Sequence, residues 1–450
     1  MAKSSSVFVC QNCAARYPKW SGRCENCGEW NTLVEQVVDT GKSILAKSTN
    51  KGAVLQPQTM KNIVADDKKG RLQTGIADLD AVLGGGIVAG GVVLLAGQPG
   101  IGKSTLLLQV ASSIASKTSV LYVSGEESAS QVKLRASRLG ADSHDELEFI
   151  ASTSADDIAA TIRAGKHRLV IVDSVQTLSM ADITSAPGTV SQITNASNAV
   201  IRAAKESSAA VILVGHVTKE GSIAGPKVLE HLVDVVLQFE GDRYGGFKVV
   251  RAAKNRYGST SEAAIFEMAE SGLEVVKNPS AALLAERQDD DGSVVLATLE
   301  GTRPLLVEIQ ALVNPTNFGY PKRTASGFDL NRLNLLIAVL ERRTKLNLSQ
   351  SDVYINVVGG LKLLDPAADL AVCMAIASAA AGRKLATGAI VFGEVGLGGE
   401  VRSVVNVDKR IAEAKKLGFT YAIAPPQSKK NAFIKSVSSV REALIDHLKQ

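Results

Sequence analysis

Short runs of consecutive apolar residues, each ending in polar or charged side chains, recur through the middle of the chain. VVLLAG (92–97) comes first, followed by SVLYVSGEES (119–128), RLVIVDSVQT (168–177) and AAVILVGHVTKEG (209–221). Runs that do not alternate with polar positions match strands buried on both faces of a parallel sheet. KSTLLLQVASSIA and SASQVKLRASRLG read as helices between them. Strand after strand with helical crossovers predicts an α/β fold whose ligand sits at the strands' carboxyl ends. After roughly residue 278 the pattern changes. VVLATLEGTRPLLVEIQALVNP and SDVYINVVGGLKLLDPAADLAVCMAIASAA mix strands with helices and carry no second nucleotide motif. Residues 36–62 lack periodicity and are rich in Lys, Ser, Thr and Gly, which predicts a flexible linker. The expected division is 1–35, 36–62, 63–277 and 278–450.

The first apolar run leads directly into Gly97, Gln98, Pro99, Gly100, Ile101, Gly102, Lys103 and Ser104, which is G-x4-G-K-[ST]. A strand before it and a helix after it are the context a phosphate-binding loop requires. Its glycines let backbone N–H groups turn inward around phosphates, aided by the positive end of the helix dipole. Lys103 is expected to reach the β- and γ-phosphates of ATP, Ser104 to bind Mg2+, and Thr105 to touch the α-phosphate. The later strands supply partners. Asp173, ending RLVIVD, suits the water shell of Mg2+. Glu126, at the tip of SVLYVSGEES, is placed to polarise the attacking water, and Glu127 to cap the following helix. The pattern alone leaves the reverse assignment open. His216, Thr218 and Lys219 end the fourth run, where a polar group either senses the γ-phosphate or serves only the structure.

Cys10, Cys13, Cys24 and Cys27 form C-x2-C-x10-C-x2-C. Two such knuckles complete a tetrahedron of thiolates around Zn2+. Four protein ligands leave no open position, so the zinc is expected to be structural, and residues 1–35 to fold as a zinc ribbon around it. Arg16, Lys19, Trp20, Arg23 and Trp30 offer cations and stacking surfaces on this module, or else the aromatics form its small core. Cys373, in LAVCMAIA, reads as a packed core residue.

Composition adds limits. Charged residues are 21% and hydrophobic ones 45%, the balance of a folded soluble protein. The formal charge of +5, from 50 Lys+Arg against 45 Asp+Glu, is too small to argue for nucleic acid by itself. MAKSSSVFVCQNC lacks a secretory apolar run, and the apolar stretches 84–97 and 367–382 are shorter than the roughly 20 residues that span a bilayer. A cytoplasmic protein without membrane contacts is expected, its cysteines reduced or metal-bound.

The cysteine ribbon, LAGQPGIGKSTLLLQ, YVSGEES, VIVDSVQT and GHVTKEGSIAGPKVLEHLVDVVLQFEGD occur in one order that resembles the bacterial RadA (Sms) family of RecA-like ATPases. Lys254, Asn255, Arg256, Tyr257 and Gly258 look like the family's KNRFG signature with Tyr for Phe. The resemblance spans almost the whole chain. It implies a DNA-dependent ATPase of homologous recombination and repair that drives branch migration on single-stranded and branched DNA. It also implies work beside a RecA-type recombinase, as a hexameric ring, with the KNRFG signature binding DNA and coupling ATP to movement. Lys254 and Arg256 follow the strand FKVVRAA and precede a glycine, so a turn is expected that offers cations to DNA or to ATP held by a neighbouring subunit.

The last domain resembles the proteolytic domain of Lon, whose chemistry needs a Ser–Lys dyad. Here Ala367 stands in the nucleophile's turn, 365–369, and Asp408 falls at the lysine's place. No peptidase is expected. Lys322, Arg323, Arg332, Arg342, Arg343 and Lys345 are instead candidate DNA contacts. The fold class expected is thus α/β: a RecA-like P-loop ATPase core, an N-terminal zinc ribbon and a C-terminal Lon-protease-like domain. Rival readings are a nucleotide-switched scaffold without motor activity and an ATP-dependent protease.

Overall fold

A computed structural model of the chain describes residues 5–10, 15–30, 32–38, 59, 70–216, 228–241, 246–316, 319–429 and 431–448. Cys13, Thr218, Lys219 and most of the expected linker lie outside these residues. Among the described residues, no helix is long and apolar enough to cross a membrane.

The amino-terminal module is an antiparallel sheet of β1 (Ser5–Cys10), β2 (Arg16–Tyr17) and β3 (Leu33–Val38), in the order β2-β1-β3. Its small core is Cys10, Cys24 and Leu33, with Phe8, Ala15, Tyr17 and Cys27 packed against them.

A nine-stranded sheet organises the centre. Its strands are β4 (Val92–Gly97), β5 (Val120–Ser124), β6 (Leu147–Ala151), β7 (Leu169–Asp173), β8 (Ala210–His216), β9 (Val235–Gly241), β10 (Lys248–Asn255), β11 (Ala263–Ala269) and β12 (Gly272–Val275). The order is β12-β11-β10-β9-β4-β8-β7-β5-β6. From β9 to β6 all neighbours are parallel, whereas β10 to β12 return as an antiparallel meander. β4 pairs with β8 on one side and β9 on the other, and all six of its residues are buried. Val93 and Leu95 pack on one face with Leu106 and Val110 of the helix Lys103–Ala115. Val92, Leu94 and Ala96 pack on the other with Ile193 and Val200 of the helix Val190–Ser207. Burial on both faces is the physical reason for an unbroken apolar run.

A second, seven-stranded mixed sheet comprises β13 (Ser293–Glu300), β14 (Arg303–Pro315), β15 (Arg323–Ser326), β16 (Ser351–Val357), β17 (Ala389–Val391), β20 (Tyr421–Ala424) and β21 (Ile434–Ser436). A separate hairpin is formed by β18 (Glu394–Val395) and β19 (Val401–Arg402). The helix Ala368–Ala381 is buried all round from Ala368 to Ser378, as its mostly apolar sequence allows, with Asp369 the one charged residue in it. Cys373 is fully buried there, and burial pushes its thiol up.

One hairpin, β10–β11, contributes to the cores of both sheets. Val250, Ala252, Ala264 and Phe266 of β10 and β11 face the nucleotide-binding core. Their alternates Val249, Ala263 and Ile265 pack with Leu296, Leu306 and Leu333 of the carboxyl-terminal core. Period-two alternation thus joins one hairpin to two hydrophobic clusters. Arg251 adds a polar tie, lying 3.6 Å from Glu240 and 3.1 Å from Glu300, and burial pushes Glu300 up to about 6. Arg303 pairs with Asp78 at 2.9 Å across the same junction.

Three expectations about the last domain need correction. Asp408 is exposed on the first turn of the helix Val407–Lys416; the side chain that helix directs at the 365–367 turn is Arg410. Arg410 is fully buried, with Nη2 2.7 Å from Asp365 Oδ2 and Nη1 donating to Ala297 O at 2.6 Å. Asp365 in turn accepts from the Ala367 N–H at 3.0 Å. Arg332 is no free cation either, because it grips the buried Asp369 bidentately and donates to Val395 O. Arg323 donates to Leu348 O and Ser351 O, and so serves the sheet. Lys322, Arg342, Arg343 and Lys345 fall outside this correction.

Breaking a buried ion pair leaves an uncompensated charge. Arg410→Ala should therefore destabilise the carboxyl-terminal domain by about 3 kcal/mol or more. The check is the urea midpoint of that domain's unfolding transition; an unchanged midpoint would contradict the assigned role.

Candidate active site

The phosphate loop lies where β4 gives way to the helix Lys103–Ala115. Gly100 (φ 77°) and Gly102 (φ 117°) occupy backbone conformations that residues with a Cβ avoid, and this is what bends the chain back over the helix start. Ile101 turns its side chain into the core at 1% exposure, so only its backbone belongs to the loop. Gln98 contributes its carbonyl.

Lys103 is anchored from three sides. Its Nζ donates to Gly97 O at 2.9 Å and to Gln98 O at 3.0 Å, and lies 3.2 Å from His216 Nδ1. Burial lowers its pKa to about 8, although the carboxylates of Asp173 and Glu126 pull it upward. Ser104 Oγ donates to Asp173 Oδ2 at 2.6 Å, and the buried Tyr122 hydroxyl donates to the same oxygen at 2.8 Å. Burial, reinforced by Asp173, pushes the Tyr122 phenol well above its ordinary value. The loop serine and the strand-end aspartate thus present adjacent hard oxygens, a donor set suited to Mg2+.

The two neighbouring glutamates part company. Glu126 Oε1 accepts from Ser174 Oγ at 2.5 Å and lies 3.3 Å from His216 Nε2. The hydrogen bond from His216, with that from Ser174, holds its carboxyl at about 2 despite partial burial. Glu127 is gripped bidentately by Arg135 at 2.5 and 2.6 Å. It does not cap the next helix: Ser128 does, in a reciprocal pair with Gln131. Ser174, Tyr122 and Arg135 were not among the residues read from the sequence. Ser174 had a signal, since it follows Asp173 directly at a strand end. Arg135 had none, because its role depends on how its helix packs. His216 touches both Lys103 and Glu126, so one imidazole links the phosphate-loop cation to the carboxylate opposite it. Lys103, Ser104, Glu126, Glu127, Asp173 and His216 line a cleft of about 410 Å³, with Thr105, Arg138 and Met268 on its walls.

Lys254–Gly258 lies elsewhere. Asn255 pairs with Val235 in β9, and Val235 with Val93 near the start of β4. The turn is therefore at the amino end of the sheet and the phosphate loop at the carboxyl end, separated by about four residues of strand, or about 13 Å. Two details differ from the expected exposed turn. Lys254 still belongs to β10, and its Nζ donates to Glu230 O at 2.7 Å and Val233 O at 2.8 Å. Burial lowers its pKa. Arg256 is half-exposed and pairs with Asp234 at 3.2 Å.

Asp234, also missed in the sequence, is buried at 4% and organises this end. Its Oδ2 accepts from the Val92 N–H at 3.0 Å, its Oδ1 takes Arg256, and its backbone carbonyl accepts from the Arg256 N–H at 3.1 Å. Burial and Asp234 raise the Tyr257 phenol to about 12. Asn255 donates to Val82 O and accepts from the Tyr257 N–H. Gly258 crosses Gly84 so closely that a Cβ on Gly258 would meet Gly84 Cα at 2.7 Å, which requires glycine at the crossing.

In the ribbon, the Sγ atoms of Cys10, Cys24 and Cys27 lie within 4.8 Å of one another, with Cys10 and Cys27 at 3.6 Å. Thiolates around one tetrahedral zinc, each about 2.3 Å from the ion, stand about 3.8 Å apart. The cluster fits zinc. Cys13, the fourth expected ligand, lies outside the described residues.

A family model described as an AAA domain matches residues 58–222, and one described as a rubredoxin metal binding domain matches residues 8–35. A relative named DNA repair protein RadA from Halalkalibacterium halodurans is 47% identical over 453 residues, covering 99% of each chain. Proteins of the same name from Bacillus subtilis (47%, 99% of each chain) and Pseudomonas aeruginosa (46%, 94% of each chain) are similarly close. Among solved structures, the RadB recombinase is 20% identical, covers 46% of this chain and 100% of its own, and has a TM-score of 0.36. A DnaB-like replicative helicase is 17% identical, covers 46% of this chain and 63% of its own, and has a TM-score of 0.39. Neither structural likeness is close enough to bear on function.

The depressed Lys103 has a measurable consequence. Triphosphate favours the charged ammonium, so above about pH 8 binding must take up a proton. Affinity should be level below that pH and fall by up to about tenfold per unit above it. Calorimetry at about pH 8.5, half a unit above that value, in buffers of different ionisation enthalpy should register the uptake. Affinity independent of pH between about 7 and 9 would contradict it.

Proposed function

We propose a DNA-dependent motor from one established premise: the chain belongs to the RadA family of DNA repair proteins. Its RecA-like core is that of an ATPase, and its ribbon is a zinc site. In the proposed reading, ATP hydrolysis in the cleft drives branch migration of recombination intermediates on single-stranded and branched DNA. The chain works as a hexameric ring beside a RecA-type recombinase.

Each cleft residue then has a task. Residues 97–104 wrap the phosphates with backbone N–H groups, and Lys103 pairs with the β- and γ-phosphates. Mg2+ held by Ser104 and Asp173 would supply charge neutralisation at the transferring phosphoryl group. Glu126, kept ionised by His216 and Ser174, orients the attacking water. Phosphoryl transfer through a loose transition state asks for positioning and charge more than for a strong base, so a carboxyl held at about 2 suits the role. His216, between Lys103 and Glu126, registers whether the γ-phosphate is present.

The single observation that carries coupling is Asp234. One buried carboxylate holds both Arg256 and the first N–H of the strand that ends in the phosphate loop. A shift of β4 on nucleotide release would therefore move the basic turn. That turn is too far from its own loop to serve it, which leaves DNA or a neighbouring subunit's nucleotide as its target. A nucleotide-switched scaffold would use the same coupling, and DNA stimulation of the ATPase separates it from a motor; the protease reading lacks a nucleophile at Ala367.

Lys103→Ala should lower turnover by on the order of 10²-fold or more while leaving the fold intact. Single-stranded DNA should stimulate the parent's ATPase. Arg256→Ala should keep basal hydrolysis and lose both the stimulation and junction movement. Steady-state ATPase with and without DNA, together with a branch-migration assay, checks this; a variant that moves junctions at the parent's rate refutes the role of the turn.

A further inference from the structure

The chain has two tryptophans, and both stand exposed on the zinc ribbon, Trp20 at 58% and Trp30 at 68%. The ribbon's core is filled without them, by Cys10, Cys24, Leu33 and the residues packed on these. The alternative that the aromatics build that core is therefore corrected for the two indoles. Each instead reaches to within 3.8 Å of the point where a Cβ on Gly22 would stand. Two indole rings thus approach the same residue, which has no side chain of its own to cover them.

Cations border the pair. The Arg23 guanidinium lies 5.9 Å from the centre of the Trp30 ring and is held there by a 2.9 Å bond from its Nε to Gly28 O. Lys19 is exposed next to Trp20. A protein-docking face would extend the indoles with aliphatic surface. Among the ribbon residues whose side chains are described, Val34 is the one other large apolar side chain left exposed. Exposed rings with flanking cations and little else suit a flexible strand whose unstacked bases can lie on them.

We infer that the Trp20–Gly22–Trp30 face is a stacking site for the bases of single-stranded nucleic acid, with Lys19 and Arg23 beside the backbone. The inference rests on the reading of this chain as one that works on DNA, and it adds a contact outside the ATPase core. Because every base has a π face, the site is tolerant of sequence. Exposed Glu25 and Glu29 offset the two cations, so stacking and not charge carries the affinity. Duplex DNA, with its bases already stacked, is a poor ligand for it.

The placement of both tryptophans makes the test direct, since tryptophan emission reports on this face alone. Full-length, zinc-loaded protein is titrated with a thymidine oligonucleotide, its length set at about 20 residues to exceed the site sizes usual for single strands. The emission should be quenched, with a shallow salt slope of about −1.4 for two neutralised phosphates. A duplex of equal length should leave it unchanged. Trp20→Ala and Trp30→Ala should each weaken the quenching interaction about tenfold, and the Phe variants should restore most of it. Zinc content equal to the parent's identifies variants that have folded. Unchanged emission while anisotropy of a labelled oligonucleotide reports binding overturns the site, as does quenching by a recombinase but not by the oligonucleotide. DNA-stimulated ATPase with flat emission removes the ribbon site and keeps the motor; quenching with an ATPase indifferent to DNA does the reverse.

Discussion

The placement of β4 in the middle of the nine-stranded sheet is the constraint on which the rest depends. It is hydrogen-bonded on both edges, buried on both faces and closed at its carboxyl end by the phosphate loop. A strand so enclosed cannot shift without disturbing its neighbours, because packed interiors have discrete arrangements and not a continuum of them. Its amino end is pinned by Asp234, whose carboxylate also meets Arg256. The phosphate loop therefore closes one end of a rigid strand whose other end is tied through Asp234 to the basic turn. That geometry is the basis of the coupling proposed above.

The cleft itself is a balance of charges with few free partners. Lys103 is partly desolvated and held on backbone carbonyls, whereas Glu126 is kept ionised by hydrogen bonds that outweigh its burial. His216 bridges them. The two adjacent glutamates, alike in sequence, are separated by what receives them: Ser174 and His216 for one, Arg135 for the other. Such groups gain function from being fixed, since positioned dipoles need no reorganisation when charge develops.

The carboxyl-terminal domain is fastened at the turn 365–369. Ala367 in that turn is wholly buried, and its flanking carboxylates Asp365 and Asp369 are each closed by an arginine. In each pair one side chain is almost wholly enclosed, Arg410 at 0% and Asp369 at 2% exposure, so both pairs are structural fastenings. They leave this region to packing, and the β10–β11 hairpin, which belongs to both cores, makes the domain an extension of the ATPase sheet.

Much of this was legible in the chain. The unbroken apolar runs determined buried parallel strands, because no half-exposed strand tolerates them. G-x4-G-K-S between strand and helix determined the phosphate loop, because positive φ and a helix terminus are local requirements. The double C-x2-C determined a metal module. What pattern could not supply were contacts between residues far apart in sequence. Asp234 reads as an ordinary polar residue until the fold brings it to Val92, 142 positions away. Lys254 reads as a free cation until its strand carries it onto the carbonyls before β9. Arg332 reads as a candidate DNA contact, and Arg410 gives no signal, until the helices carrying them turn inward onto Asp369 and Asp365. Sequence determines what is dictated by local sterics and periodicity; the partner of a charge is decided only when the chain closes on itself, because desolvation and distance are properties of the packed structure.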